Sequence, residues 1–538
     1  MQAQLHAGSA PRTEDACTPD GDTGSPAPRA RGLLGDATFA MFARVLYLAT
    51  RLALPPMILA RVSLSEYGLW AACFVLVAYV ALADMGLSSV YVRFVARLHG
   101  RGDTDGIGRL LSTGIVSMFV IGSLVFGGVV LSLDPLMGLL KIEPALQPAA
   151  RVLVVGSVGV FVLDMALSAF GHALHGLRRV RSEQKVWMAS FLLEFALIVA
   201  FLQAGLGVNA LLTAFALRTV FALTANMVLL RKALPGLRVG PRRFDASMLR
   251  HFAGFGLSVQ ASTMLSVALH SADRMIAGVL LGPSAIALFD LGGKLPLSAA
   301  SIPSTISRVT LPQAAALAEA GGPQERRTLA TLYSRATRSV ALIAAVPLGF
   351  MAAFAAPLCL AWLGPRPELH ALPTILSACA VGALFHVITG PGSAVFRGMG
   401  LVGNEFLYSG LRIVLIAAAL ALAWATIGHG ASAIAIGLSA GTVIAALVYN
   451  LHNHRRLQLP ARELLTAIVL PSLAPLAVAF PLLGLWQMLV PVGTGRFAQL
   501  GVLAGFGAVH CIICGALAWR WLRADERDAV LRVLRRRK

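Results

Sequence analysis

The chain carries little charge for its length, and acidic residues and cysteine are both scarce. Only 13% of its 538 residues are charged, about half the share that soluble domains carry. Apolar residues account for 57% of the chain, and the mean hydropathy is +0.76. The low charge excludes a string of soluble domains, and the long apolar runs predict a polytopic membrane protein.

The six cysteines are too few and too scattered to form a disulfide framework. Cys17 lies in a polar segment, whereas the other five lie in apolar segments or at their ends. Cys511 and Cys514 form a CxxC, but there is no second CxxC to complete a zinc site. We therefore interpret them as packing residues and predict neither a metal site nor a cofactor.

Apolar windows of about twenty residues predict 14 transmembrane helices in an all-α polytopic membrane protein. These spans are 34–61, 66–92, 110–133, 150–172, 186–205, 208–230, 250–280, 285–313, 337–361, 371–396, 405–427, 431–451, 463–490 and 498–520. We expect two six-helix lobes around a central cavity, followed by two extra C-terminal helices.

Composition and spacing also predict how the chain is divided. Residues 1–32, rich in proline and polar residues, are expected to be a disordered cytoplasmic tail without the features of a signal peptide. The other expected units are an N-terminal lobe, a C-terminal lobe, two additional helices and a basic cytoplasmic tail, at 33–232, 248–455, 456–523 and 524–538.

Basic residues predict the orientation of these spans. The net charge is +20, and 33 of the 45 Lys and Arg residues fall in alternate connecting segments and the two tails. Five fall in the opposite connections and seven within spans. Because Lys and Arg collect on the cytoplasmic side, both termini are predicted to be cytoplasmic, and the charge needs no nucleic-acid partner. The longest outer loop, 134–149, has only 16 residues, so function is expected within the bilayer.

A weak internal repeat supports the two lobes. A shift of 219 residues aligns Leu69-Trp70 with Leu288-Phe289, although Gly68 then aligns with Ala287. Repeated halves around a site near the membrane midplane are a common plan of transporters.

Charged residues inside the spans are the candidate functional residues. A charge at bilayer depth costs at least about 2.5–3.5 kcal/mol, so its retention indicates a role. Arginine offers a planar fork that suits phosphate, so the span-embedded basic residues predict a cavity for an anion such as a lipid-linked pyrophosphate. The predicted substrate-binding residues are Arg44, Arg51, Arg218, Arg274, Lys294, Arg308 and Arg412.

Acidic residues in the spans are candidates for ion coupling, namely Asp84, Asp164, Glu194, Asp273 and Asp290. The alternative is that acids and bases pair and fix helices together. The spacing of Asp290 and Lys294 favours such a pair, whereas Arg44 and Arg51, which share a helix face with Tyr47, favour a functional role. For Asp84, Asp164 and Glu194 both interpretations stay open.

Two stretches resemble a known family. Tyr67-Gly68-Leu69-Trp70, followed by Asp84-Met85-Gly86-Leu87-Ser88, resembles the early signature of bacterial polysaccharide and O-antigen flippases of the Wzx type. A second stretch resembles the matching signature of their second half, with Asp273-Arg274, Leu281-Gly282-Pro283, Phe289, Lys294, Arg308 and Pro312. The similarity extends from about residue 34 to 455.

The resemblance implies the multidrug/oligosaccharidyl-lipid/polysaccharide (MOP) exporter superfamily. Its members move undecaprenyl-pyrophosphate-linked oligosaccharides to the outer leaflet of the bacterial inner membrane by alternating access, without covalent chemistry. It also implies membrane lipids and polysaccharide polymerase or assembly proteins as partners. The cationic cavity of the family would correspond here to Arg44, Arg51, Asp273-Arg274 and Lys294. Ala287, where the family often has Gly, and the two extra helices, which also occur in lipid II flippases, leave the branch open.

Two other functions remain as alternatives. A multidrug or cation exporter of the same superfamily would prefer acids along its cavity. A membrane-embedded glycan polymerase or glycosyltransferase would need acidic residues on a sizeable outer loop, and the short outer loops here disfavour it.

Overall fold

The computed structural model describes residues 30–84, 87–248, 269, 271–401, 403–491, 495–521 and 527, and it contains helices and no strands within these ranges. The chain divides into two compact units, residues 1–45 and residues 46–538. In the first unit the described residues begin at Ala30 and form the first half of α1. The predicted all-α fold is confirmed. The predicted tails fall largely outside the described residues, although α1 already begins at Ala30.

The first nine helices are α1 (Ala30–Leu59), α2 (Leu64–Val80), α3 (Leu87–Gly100), α4 (Thr104–Leu131), α5 (Leu133–Leu139), α6 (Gln147–Leu167), α7 (Ala169–Gly176), α8 (Val180–Gln203) and α9 (Asn209–Ala233). The next nine are α10 (described residues 271–281), α11 (Pro283–Ala300), α12 (Ser304–Ala320), α13 (Pro323–Ala353), α14 (Ala355–Leu363), α15 (Leu372–Ile388), α16 (Gly390–Gly398), α17 (Gly403–Thr426) and α18 (Ala431–Arg456). The last three are α19 (Ala461–Leu464), α20 (Leu470–Leu489) and α21 (Arg496–Trp521).

The described ranges contain 11 helices that are long and apolar enough to cross a membrane, or 12 if the bent pair α11–α12 is one span. This pair bends by 46° at the break before α12, where Pro303 precedes the helix. Proline removes a backbone donor and disfavours helix in the residue before it, so the break follows from the sequence. The predicted count of 14 is not reproduced, because α2 has only 17 residues and predicted span 250–280 is mostly outside the described residues.

Within the single compact unit 46–538 we call α1 from residue 46 with α2–α9 the N lobe, and α10–α18 the C lobe. In the N lobe α4 packs on α6 and α8 on α9, whereas in the C lobe α15 packs on α11 and α18. Helices α20 and α21 pack on α13 and α14 of the C lobe. The lobes meet where α2 lies along α11, so this helix pair positions whatever lies between them.

The helix connections define two ends of the protein. We call the end with the connections 60–63, 140–146, 282 and 364–371 the turn end. The opposite end carries arginine-rich connections, such as 234–248, and we call it the basic end.

The connection 234–248 is ordered against the N lobe although it is too short to be a domain. Arg243 pairs with Asp105 at the start of α4, and Arg109 lies 3.6 Å from the Asp245 carboxylate. The pKa of Asp245 lies below its ordinary value, because Ser247 donates hydrogen bonds to it from its hydroxyl and backbone N–H and Arg109 is nearby. The link between the lobes is thereby fixed to α4.

Candidate functional site

Four charged or polar side chains meet between the lobes, and we call them the interlobe cluster: Tyr67, Arg274, Asp290 and Lys294. The Tyr67 hydroxyl of α2 donates to Asp290 Oδ2 of α11 at 2.8 Å and accepts from Lys294 Nζ at 3.0 Å. Asp290 pairs with Lys294 one helical turn later, as the spacing predicts, and Arg274 Nη1 lies 3.4 Å from Asp290 Oδ1. One carboxylate therefore holds two cations and binds the tyrosine of the other lobe.

The cluster is shielded from water. The side chain of Asp290 is 15% exposed and that of Arg274 is 17% exposed. A second acid, Asp273, lies 3.7 Å from Arg274 Nε, so the two acids balance the charge of Arg274 and Lys294. Buried charges persist only when they are paired and hydrogen-bonded, and here the partners are drawn from α2, α10 and α11.

Close contacts near the cluster join the lobes at the turn end. The Ser65 and Ser284 hydroxyls lie 2.7 Å apart, and a Cβ built on Gly68 would lie 1.9 Å from the Pro283 carbonyl oxygen. Only glycine allows backbones to approach this closely. Ser65 and Ser284 are 219 residues apart, the same shift that aligns the two halves of the sequence. Ser65 therefore contacts the residue that the sequence shift assigns as its repeat equivalent.

Further hydrogen bonds support the closure of this end. Lys141 donates to the Leu280 carbonyl at 2.7 Å. The Arg366 guanidinium donates to the Leu59 carbonyl at 2.5 Å. Because their acceptors belong to the opposite lobe, these bonds hold the lobes together at the turn end.

The C lobe contains a cationic cavity of about 560 Å³ that begins near the basic end. Its lining includes Arg308, Arg397 and Arg412, together with Glu405, which pairs with Arg397 at 2.5 Å. Arg412 Nε is buried without a hydrogen-bond partner among the described residues. Three arginines against one acid leave the cavity with a net positive charge that favours an anion.

This cavity adjoins a narrower one of about 130 Å³. The two share His386 and Arg412, and the narrower one is also lined by Asp273, which lies beside Arg274, and by Gly293, the neighbour of Lys294. The narrower cavity therefore ends next to the interlobe cluster, although none of the four cluster residues lines it.

The N lobe contains a polar cavity of about 330 Å³ with a different charge. It is lined by Asp164, His172, His175, Glu183 and Arg218, and His175 Nε2 lies 3.0 Å from Glu183 Oε2. No group of histidine, cysteine and carboxylate residues within the described ranges has the arrangement of a metal site.

The two cavities are repeat equivalents of each other. Nine N-lobe lining residues have a counterpart in the lining of the C-lobe cavity 222 residues later. Four of these pairs carry the charged groups that matter here: Asp164 with His386, His175 with Arg397, Glu183 with Glu405 and Ser190 with Arg412. The pairing of a basic side chain with an acid is kept in both lobes, because His175 and Glu183 correspond to Arg397 and Glu405. Asp164 and Ser190 correspond to His386 and Arg412, and these two changes make the C-lobe cavity more basic.

The predicted residue Arg51 has a carboxylate partner from another helix. Its guanidinium binds Glu194 Oε2 at 2.7 Å and lies 5.2 Å from the centre of the Tyr47 ring, so Tyr47 and Arg51 do share a face. Trp187 and Phe191 pack on the same tyrosine. The pairing interpretation therefore holds for Glu194 in this structure, and a substrate role for Arg51 remains a prediction.

The other predicted residues are spread over several places. Arg44 lies exposed on α1 within residues 1–45, and the side chain of Asp84 is outside the described residues. Arg218 lies 5.2 Å from the centre of the Phe215 ring in the N-lobe cavity, where Asp164 also lies. The structure thus gathers Arg274, Lys294, Asp273 and Asp290 in one cluster, and Arg308 with Arg412 in one cavity.

Sequence reasoning missed Tyr67, His386, Arg397 and Glu405 as candidate site residues. In the sequence Arg397 lies in a predicted connection and Glu405 lies at the start of a predicted span. Charged residues are common at such positions and do not indicate a site. Their spacing of eight recurs at His175 and Glu183, and this repeated spacing is the signal that could have identified them.

Comparison with known proteins agrees with this architecture. No curated protein sequence matches the chain. Among solved structures, the lipid II flippase MurJ in an inward closed conformation matches with a TM-score of 0.68 at 13% identity, covering 90% of this chain and 99% of that one. An inward-facing multidrug resistance MATE family transporter of the MOP superfamily matches with a TM-score of 0.56 at 18% identity, covering 78% and 94%.

A third match, a MATE transporter of Vibrio cholerae in mutant form, has a TM-score of 0.54 at 17% identity, covering 80% of this chain and 97% of that one. These identities establish the fold alone. The fold and the helices that are long and apolar enough to cross a membrane are those of a multi-pass membrane protein. A family model described as "Polysaccharide biosynthesis protein" matches residues 58–366, more than half of the chain, and the chain therefore belongs to that family.

Proposed function

We propose that this protein is a flippase that moves an undecaprenyl-pyrophosphate-linked oligosaccharide from the cytoplasmic to the outer leaflet of a bacterial inner membrane, by alternating access. The observation that carries the proposal is the cationic C-lobe cavity, whose lining holds Arg308, Arg397 and Arg412 against the single acid Glu405. The polysaccharide biosynthesis family supplies the context of the substrate.

The charge of the cavity fits a diphosphate better than a neutral glycan. Glu405 balances Arg397, which leaves Arg308 and Arg412 without an acid in the same cavity lining. An arginine fork binds phosphate oxygens in two parallel hydrogen bonds, so two such side chains suit the two phosphates of a pyrophosphate. The sugars would remain in the water-filled part of the cavity, and the lipid would remain in the bilayer.

The orientation is part of the proposal. With the basic end cytoplasmic, as the distribution of Lys and Arg predicts, the cation-lined cavity begins on the side where the lipid-linked precursor is made. The closed turn end then faces outward. Transport requires the contacts between α2 and α11 to separate and new contacts to form at the basic end.

Reconstituted vesicles provide the direct test. The purified full-length protein is inserted into vesicles that contain a fluorescent undecaprenyl-pyrophosphate oligosaccharide, and the fraction that an impermeant quencher reaches is followed over time. Arg412→Gln should slow flipping about tenfold, since losing a charge-assisted hydrogen bond costs about 1.5–3 kcal/mol. Arg455→Gln, an exposed arginine at the end of α18 outside the cavity lining, is the matched control and should flip at the wild-type rate.

An exporter of organic cations is the second candidate, because the N-lobe cavity contains Asp164 and Glu183 against a single arginine. Its test uses the same vesicles loaded with a fluorescent organic cation. Cation movement that depends on Asp164, without movement of the lipid-linked glycan, would replace the flippase proposal by the exporter.

A further inference from the structure

The cations of the interlobe cluster are already occupied in this structure. Asp290 is shared by Lys294 and Arg274. It accepts a third hydrogen bond from the Tyr67 hydroxyl, which belongs to the other lobe. An anion that binds Lys294 and Arg274 must therefore take the place of the Asp290 carboxylate.

We propose that Asp290 is an internal competitor for an anion site formed by Arg274 and Lys294, and that a phosphate-bearing ligand opens the turn end by displacing it. The inference rests on the proposed function, because it assumes that the transported group carries phosphate. Asp290 is thus a positioning residue, whose release uncouples α11 from Tyr67.

The narrower C-lobe cavity lies next to this site, although none of Arg274, Asp290 and Lys294 lines it. Its lining includes Arg412, Asp273 beside Arg274, and Gly293 beside Lys294. Asp273 Oδ1 is buried and receives no hydrogen bond from the described residues, so its interaction with Arg274 is limited to charge attraction at 3.7 Å. An anion at Arg412 would therefore reach Arg274 and Lys294 once the Asp273 side chain moves aside.

Displacement of Asp290 changes the contact between the lobes, because the Tyr67 hydroxyl is hydrogen-bonded to both Asp290 and Lys294. Its hydroxyl donates to Asp290 and accepts from Lys294, and Lys294 Nζ also lies 5.6 Å from the centre of the Tyr67 ring. When phosphate oxygens accept the hydrogen bonds of Lys294, the Tyr67 hydroxyl loses Lys294 as a hydrogen-bond donor. Asp290 at the same time loses the cations that neutralise it. The same event that binds the ligand thus weakens the nearby closure at Ser65 and Ser284.

The closure can be measured by disulfide formation in the full-length protein. Ser65→Cys and Ser284→Cys are combined in a chain with a protease site in the connection 236–240, so that a cross-link keeps the two fragments together on a denaturing gel. Each single cysteine variant is the control for cross-links to native cysteines. The probe is inorganic pyrophosphate, compared with chloride at equal ionic strength.

In the parent chain, pyrophosphate should slow cross-linking, whereas chloride should not. Asp290→Asn, which keeps the shape but removes the charge, should slow cross-linking about tenfold without pyrophosphate and should tighten pyrophosphate binding about tenfold, since the competitor is gone. Lys294→Met should abolish the response to pyrophosphate. Asp134→Asn is the matched control, because Asp134 pairs with Arg151 near the same end but within the N lobe, and it should change neither quantity.

Tyr67→Phe guards against a folding defect in the Asp290 variant. It should slow cross-linking and also tighten pyrophosphate binding, but by less than Asp290→Asn does, because binding and opening are reciprocal while the competing carboxylate remains. Weaker pyrophosphate binding in Asp290→Asn would overturn the proposal, since Asp290 would then support the cations rather than compete for them. A parent chain that does not respond to pyrophosphate, with cross-linking still slowed by Asp290→Asn, would overturn the anion site and place the failure in the proposed substrate.

Discussion

Replacing Gly68 by alanine, which adds a single methyl group, should open the closed turn end. In Gly68→Ala the new Cβ would lie 1.9 Å from the Pro283 carbonyl oxygen, whereas real Cβ contacts essentially never fall below 3.0 Å. Helix α2 and the start of α11 must therefore separate by about 1.1 Å. If α2 moves as a rigid body, the Tyr67–Asp290 hydrogen bond could lengthen from 2.8 Å to about 3.9 Å, which is no longer a hydrogen bond.

The expected magnitude follows from that lost bond. A hydrogen bond to a charged group contributes about 1.5–3 kcal/mol, so the closed population should fall by about tenfold or more. The assay is the labelling rate of a cysteine at Ser284 by an impermeant thiol reagent, which should rise in Gly68→Ala. The control is Gly138→Ala at the same end, where an added Cβ meets no atom within 4 Å. Equal labelling rates in Gly68→Ala and Gly138→Ala would refute the steric argument and with it the assignment of α2–α11 as the closure.

Three other predictions follow from the packing. Glu194→Leu should lower the melting temperature in detergent, because Arg51 loses its buried partner at a cost of about 3–5 kcal/mol. Adding Arg51→Met to this variant should restore most of the lost stability. A Glu194→Leu variant as stable as the parent protein would contradict this prediction. Gly441→Ala should destabilise the C lobe, because its Cβ would lie 2.5 Å from the backbone of α17, and an unchanged melting temperature would argue against that contact. A cysteine at Pro144 should react with an impermeant reagent on intact spheroplasts and one at Pro235 should not; the reverse pattern would overturn the proposed orientation.

Local patterns predicted the helical content and many of the contacts made by neighbouring turns. The pair Asp290 and Lys294 follows from helical spacing, since residues four apart lie on one face. Gly437 and Gly441 stand four residues apart, a spacing typical of close helix packing, and Gly437 lies against the backbone of α17, where an added Cβ would be 2.7 Å from Leu420 Cα. These predictions succeed because they depend on one helix period and on the size of one side chain.

The charged residues in the spans show where such reasoning ends. The sequence indicates that Arg51 needs a wet surface or a partner, but Glu194 lies 143 residues away and no local pattern connects them. Tyr67 looks like an ordinary interfacial aromatic residue until α11 is placed beside α2. The partner of a buried charge is selected by tertiary packing, because desolvation makes any available counter-charge favourable irrespective of its distance along the chain.

The sequence by itself determined the membrane location, the all-helical class and the division of charge between the two ends. Hydropathy and charge decide these properties, since the bilayer acts on each span almost independently. The tertiary structure alone decided that Asp290 occupies the cations of the interlobe cluster, that the Gly68–Pro283 contact closes the turn end, and that Arg308 and Arg412 share one cavity. These depend on which helices lie side by side, and that is settled by close packing over the whole chain rather than by any single segment.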